Sequence, residues 1–240
     1  MVDINRQEKP HAHQAIFSPS GNSVVVCDLG GDCVILYNFS AKTGVLRQRQ
    51  RLLLAPGTGP RHAAFHPTQP FLFVLGELTS TIALCRLQKR NPPMTKSTVH
   101  DSSFDDCEED AWSMELAGSP VSTLPSDFPP NSSWCSAICV SHSGRLVFGA
   151  NRGHDSVAIF RVVELDGAII NILLVSFITS FGSIPRDIAL HPSEKILYVA
   201  AQNDNLLTAF LFDEERGVAQ RLGSPVCTPT PVCIVPFQVA

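Results

Sequence analysis

The sequence predicts an all-β fold, a β-propeller of four-stranded blades. Four segments can be laid over one another, beginning at His13, Arg61, Ser136 and Arg186. Their anchoring apolar residues, Phe17, Phe65, Val140 and Leu190, stand 48, 75 and 50 residues apart. Each copy reads strand, tight turn, strand, short loop, strand. Repeats of roughly 50 residues with four short strands mark propeller blades. An ordinary β-sandwich predicts no fixed period.

The first copy, HQAIFSPSGNSVVVCDLGGDCVILYNF, turns on Ser-Pro-Ser-Gly between its first two strands. The segment LRQRQRLLLA that follows supplies a fourth strand. The second copy is RHAAFHPTQPFLFVLGELTSTIALCRL, and the extra length of the middle interval lies after it, between Gln88 and Pro130. Seven acidic residues fall between Asp101 and Glu115. Such a stretch buries too little to offset its ordering entropy, so residues 88–130 are expected to form a mobile acidic loop on the rim. The spacing does not fit an EF-hand. The third copy, SAICVSHSGRLVFGANRGHDSVAIFRV, is followed by GAIINILLVSFITSF, again a fourth strand. The fourth copy, RDIALHPSEKILYVAAQNDNLLTAFLF, repeats the turn as His-Pro-Ser-Glu. Residues 1–240 are therefore read as a single, partial propeller domain.

Composition narrows the function classes. The net charge of −4 provides no broad basic field for nucleic acid or anionic lipid. The greasiest run, Ala168 to Phe181, is 14 residues long and interrupted by Asn171, Ser176 and Thr179. It is too short to span a bilayer. The opening MVDINRQEKPHAHQ is polar and lacks a signal-peptide pattern, so a cytoplasmic address is expected. The 8 cysteines contain no CxxC pair, and zinc needs clustered pairs at loop spacing. They are expected to be reduced, mostly buried apolar residues. Cys135 and Cys139 bracket SAI, where a spacing of four predicts that both occupy one strand face. No metal or cofactor is expected.

Two columns across the copies carry chemistry. Four residues before each anchor stand His13, Arg61, Ser136 and Arg186. Five before the third-strand anchors Val34, Ile82, Val157 and Leu207 stand Leu29, Glu77, Arg152 and Gln202. First strands of blades line the central channel, and antiparallel neighbours bring both columns to one mouth. His13, Arg61, Glu77, Arg152 and Arg186 are thus expected to converge on an anion site. A lone arginine in such a column would more often tie blades together. Three with an imidazole and a carboxyl argue for a site.

The motifs PHAHQAIFSPSG, GTGPRHAAFHP, GELTST, STLPSDF, GANRGHDSVAIFRV and PRDIALHPSEKILYVAAQNDN resemble the lactonase family of seven-bladed propellers, which includes 6-phosphogluconolactonases and carboxymuconate cyclases. The likeness runs from about Pro10 to PTPVCIVPF. It implies that His13, Arg61, Glu77 and Arg152 are catalytic and that Arg186 contacts substrate. The implied activity is hydrolysis of a sugar δ-lactone, 6-phospho-D-glucono-1,5-lactone, in the pentose phosphate pathway. The implied partner is a small anionic lactone. A non-catalytic interaction scaffold and a carboxymuconate-type cycloisomerase stay open as alternatives. Gly76 stands where the family commonly has asparagine, which is expected to loosen the site beside Glu77. Four blades are counted against the family's seven, so an incomplete ring without the N-terminal blades is expected, with two blade faces exposed. A fragment or shortened form of the family's chain would read this way.

Overall fold

A computed structural model describes residues 3–89, 112–179, 182–193 and 195–237. All regular elements among them are strands. The first sheet holds β1 (Ala12–Phe17), β2 (Ser23–Asp28), β3 (Cys33–Phe39) and β4 (Leu46–Leu53) in that order. The second holds β5 (Pro60–Phe65), β6 (Phe71–Gly76), β7 (Thr81–Lys89) and β8 (Trp112–Leu116), with β9 (Val121–Ser122) also on β7. The third runs β10 (Trp134–Val140), β11 (Leu146–Arg152), β12 (Ser156–Leu165) and β13 (Ala168–Thr179). The fourth runs β14 (Pro185–Leu190), β15 (Ile196–Ala201), β16 (Leu206–Asp213) and β17 (Val218–Cys227). Every pairing is antiparallel. The fold is the propeller expected, as an arc of four sheets with no closed ring.

In the second sheet two short strands share the fourth place. β8 pairs with the far half of β7, from Cys85 to Lys89, and β9 pairs with Thr81 and Ile82. Residues 90–111, about half of the insertion expected as a loop over 88–130, lie outside the described residues; the expectation is corrected at its flanks, where Gln88 and Lys89 end β7 and β8 and β9 form as strands on it.

Central strands such as β6 and β11 are apolar on both faces because their sheets pack between neighbours, whereas the outer strands β4 and β17 are largely exposed. Val25, Val34, Leu72 and Val74 fill the space between the first two sheets. Phe73, Leu75, Val147 and Phe160 fill the next, and Phe148, Ile159, Leu197 and Phe212 the third. The inner strands β1, β5, β10 and β14 touch in sequence and form one wall. At the open ends the packing stops. Phe17 is 57% exposed on β1 and Val226 59% on β17.

The Cys135–Cys139 expectation needs correction. Cys135 pairs with Asn151 but Ile138 with Gly149, so β10 holds one residue more than its partner. That bulge reverses the alternation. Cys135 packs with the core of the second and third sheets, while Cys139 packs with that of the third and fourth.

A further column ties blade to blade. Asp32, Ser80, Asp155 and Asn205 end the loop before each third strand with φ of 47°, 50°, 51° and 58°. Small polar residues tolerate this left-handed region better than bulkier ones. Each then reaches into the segment that follows its own sheet. Asp32 accepts from the backbone N–H of Gly57 and Gly59, at 2.7 and 2.8 Å. Ser80 Oγ donates to the Ser133 carbonyl, Asp155 Oδ1 accepts from Ile184 N–H and Asn205 Oδ1 from Thr230 N–H. Asp32→Ala forfeits two charge-assisted bonds and should cost about 1–3 kcal/mol in denaturant unfolding. Asp32→Asn should recover part of the loss.

Candidate active site

Each inner strand carries a bulge at the place where the first sequence column falls. Ala12 pairs with Asp28 and Gln14 with Cys27, which leaves His13 as the extra residue. Pro60 pairs with Gly76 and His62 with Leu75, leaving Arg61. Pro185 pairs with Ala201 and Asp187 with Ala200, leaving Arg186. In β10 the irregularity spans Ser136 and Ala137. A bulged residue leaves the pleat and its side chain is re-aimed. The repeated bulge is why one column of an apolar strand can be polar.

The second column meets the first at Glu77, immediately after β6. Its backbone is held on both sides, with its N–H donating to the Gly59 carbonyl and its carbonyl accepting from Cys135 N–H. The carboxylate is 2% exposed and surrounded by guanidinium groups. Arg6 Nη2 donates to Oε1 at 2.6 Å. Arg61 Nε lies 2.9 Å and Arg152 Nη2 3.1 Å from Oε2. The Arg61 contact is a close ion pair without hydrogen-bond alignment.

Arg61 is itself 3% exposed. Its Nη1 donates to the Ser136 carbonyl and lies 3.2 Å from His62 Nε2. Burial, then the neighbouring Arg152, pushes its pKa down to about 10, against the pull of Glu77. Arg152 donates to the carbonyls of Trp134 and Cys135. The Arg186 side chain makes no hydrogen bond or ion pair among the described residues. Its charge nonetheless acts on His13, Arg61, His62 and Arg152.

The two histidines face one another at a ring separation of 5.3 Å and an interplanar angle of 60°. His13 keeps an exposed surface that water can reach. Loss of hydration, followed by the Arg61 charge, still pushes its pKa down to about 4, against the pull of Glu77. His62 falls to about 3 for the same two reasons in the same order. Both rings are neutral at neutral pH. Glu77, committed to arginines, makes no hydrogen bond to His13 among the described residues.

Two further column members, Ser136 and Leu29, are structural. Ser136 Oγ donates to the Pro185 carbonyl and links the third sheet to the fourth. Leu29 is buried, and its carbonyl accepts from Gln7 Nε2 at 3.0 Å. Gly76 does not loosen the site, contrary to expectation. A Cβ there would stand 2.8 Å from Thr58 Cγ2 and 3.0 Å from the Thr58 carbonyl oxygen, so Thr58 already fills that volume.

Sequence reasoning missed Arg6 and His62. Arg6 lies outside the repeat, in a polar lead-in that no column covers. The buried Gln7 anchors that lead-in to the first sheet. His62 follows Arg61, and strict alternation would put the two on opposite faces. The bulge brings both to one side. The histidine beside the arginine in PRH was the available signal.

A cleft of about 820 Å³ is lined by Asp3, Leu78, Thr79, Leu124 and Asn131 among others, and includes none of the expected site residues His13, Arg61, Glu77, Arg152 and Arg186. A second cavity of about 320 Å³ lies at the opposite strand ends, by Pro19, Phe65, Pro67 and Trp112. Its lining is mostly apolar and holds none of those residues either.

Comparison with known proteins agrees with the propeller fold. Residues 2–236 match the family described as Lactonase, 7-bladed beta-propeller. The chain is 37% identical over 229 residues to a 6-phosphogluconolactonase of Bacillus subtilis, covering 95% of this chain and 58% of that protein. A crystal structure of a Lactobacillus plantarum protein superposes with a TM-score of 0.75 at 31% identity, over 95% of this chain and 58% of the other. A periplasmic gluconolactonase of Pseudomonas aeruginosa superposes with a TM-score of 0.73 at 23% identity, over 95% and 57%, a likeness of fold. The chain thus spans less than two thirds of the length of the relatives it matches.

Proposed function

The chain belongs to the seven-bladed β-propeller lactonase family, and from that premise we propose that its site hydrolyses a sugar δ-lactone, 6-phospho-D-glucono-1,5-lactone, to the open-chain acid. In this reading it is a carboxylic-ester hydrolase of the pentose phosphate pathway in the cytoplasm. The observation that carries the reading is the cluster itself. Three guanidinium groups close on the Glu77 carboxylate, and the charge of a fourth, Arg186, acts with Arg61 on two neutral imidazoles. The excess is positive in a chain of net charge −4, which suits a substrate bearing a phosphate.

His13, exposed and neutral, takes the proton as water attacks the lactone carbonyl. Negative charge grows on the carbonyl oxygen, where preorganised cationic donors stabilise it. Arg186 has donors free for this oxyanion or for the phosphate. Collapse of the tetrahedral intermediate expels the ring oxygen, which receives the proton from His13. A pKa of about 4 makes His13 a weak base but its conjugate acid a strong donor to that leaving oxygen. Glu77 acts through the arginines it gathers.

A pH-stat assay with the phosphorylated lactone, corrected for spontaneous hydrolysis, tests the reading. Acceleration that exceeds that on unphosphorylated glucono-1,5-lactone is expected. No acceleration on either lactone would refute it.

A further inference from the structure

We infer that His62 is a positioning residue for the lactonase site, bracing the His13 ring and holding the Arg61 guanidinium. The inference rests on the functional reading above for its kinetic consequence, but not for its structural content. A histidine that works as a base needs its ring held in one orientation, and the usual device is a carboxylate on its far nitrogen. Here the nearby carboxylate serves Arg6, Arg61 and Arg152. The group that meets the His13 ring is the half-buried His62, 5.3 Å away.

The state of His62 follows from its neighbour. A guanidinium only donates, so the nitrogen 3.2 Å from Arg61 Nη1 must be the acceptor. Nε2 is therefore bare, and the proton sits on Nδ1. The same contact holds Arg61, whose Nη1 also reaches the Ser136 carbonyl and whose Nε stands against Glu77. The charged groups acting on His13 are Arg61 on β5, Arg186 on β14, Glu77 after β6 and Arg6 in the lead-in. Arg61 exerts the largest charge effect on both rings. Removing His62 frees one face of His13 and one donor of Arg61 together.

Two arms test this in the full chain. Nitrogen-labelled histidine rings, read by long-range proton–nitrogen NMR at about pH 7, should report His62 as the neutral Nδ1–H form. A His62 protonated on Nε2 would overturn the inference whether or not the chain hydrolyses lactones. In the kinetic arm, His62→Ala should lower kcat roughly 10- to 100-fold with KM little changed, because the reacting geometry and not the binding charge is disturbed. His62→Gln, which keeps an acceptor for Arg61, and His62→Phe, which keeps a ring against His13, should each restore part of that loss. The titration of His13 should move up towards an ordinary imidazole in His62→Ala and less in His62→Phe. Unchanged kcat and unchanged His13 titration in the variants would sink the positioning role while leaving the hydrolase reading intact. If the parent chain proves inactive, the hydrolase reading fails and the tautomer and titration still decide the inference.

Discussion

Replacing Glu77 with glutamine is expected to destabilise the protein by about 3–5 kcal/mol and, through displaced arginines, to lower lactone turnover by roughly 10²-fold. The carboxylate stands between Arg6, Arg61 and Arg152, two of them on one oxygen. Glutamine has nearly the same shape but no charge, and its amide would turn a donor towards guanidinium groups that can only donate. Arg61, 3% exposed, would then be a buried cation without its counter-ion. Removing one member of a buried pair costs far more than the pair contributes, because the survivor remains desolvated. Arg6 has a half-exposed side chain that water can compensate, so Arg6→Gln should cost much less. Urea unfolding of the two variants separates these effects. An Glu77→Gln protein as stable and active as the parent would remove the carboxylate from the centre of the site.

Truncating His13 to alanine should leave stability at neutral pH nearly unchanged and lower kcat by roughly 10²–10⁴. The side chain is exposed, so little packing is lost. Under the proposed lactone hydrolysis the parent chain should hold its rate as pH falls through 6.5 and lose it only near the pKa of about 4 that partial loss of hydration and Arg61 impose. An acid limb at an ordinary histidine value would show that His13 does not titrate in this setting. Stability should move the other way from what a salt-bridged histidine would produce. Both imidazoles hold a proton less tightly folded than unfolded, so acid favours the unfolded chain. Their contribution is complete above about 6.5 and declines as pH falls towards about 4 for His13 and about 3 for His62. Unfolding free energy measured across that window gives the slope.

Much of the site could be read along the chain because a propeller converts sequence period into spatial equivalence. Residues 48 apart, such as His13 and Arg61, land on successive inner strands, and the ion pairs at Glu77 join the two columns directly. The bulges were not legible. A bulge is one residue of mismatch between partner strands, and no single strand records the length of its partner. Its effects were therefore misjudged at Cys135 and Cys139 and overlooked at His62. The inter-blade column at Asp32, Ser80, Asp155 and Asn205 was visible as small polar residues at the repeat interval, but its purpose appears only when the following segment is in place.

By itself the sequence determined the blade fold, its four-fold recurrence and the cationic columns, because hydrophobic alternation and turn chemistry are local and repeat with the chain. The tertiary structure alone decided that Arg6 reaches Glu77 across 71 residues and that Glu77 holds arginines instead of His13. It also decided that both histidines are neutral. Ion pairing and desolvation depend on which distant atoms exclude water from a group, and that is a property of the packed molecule.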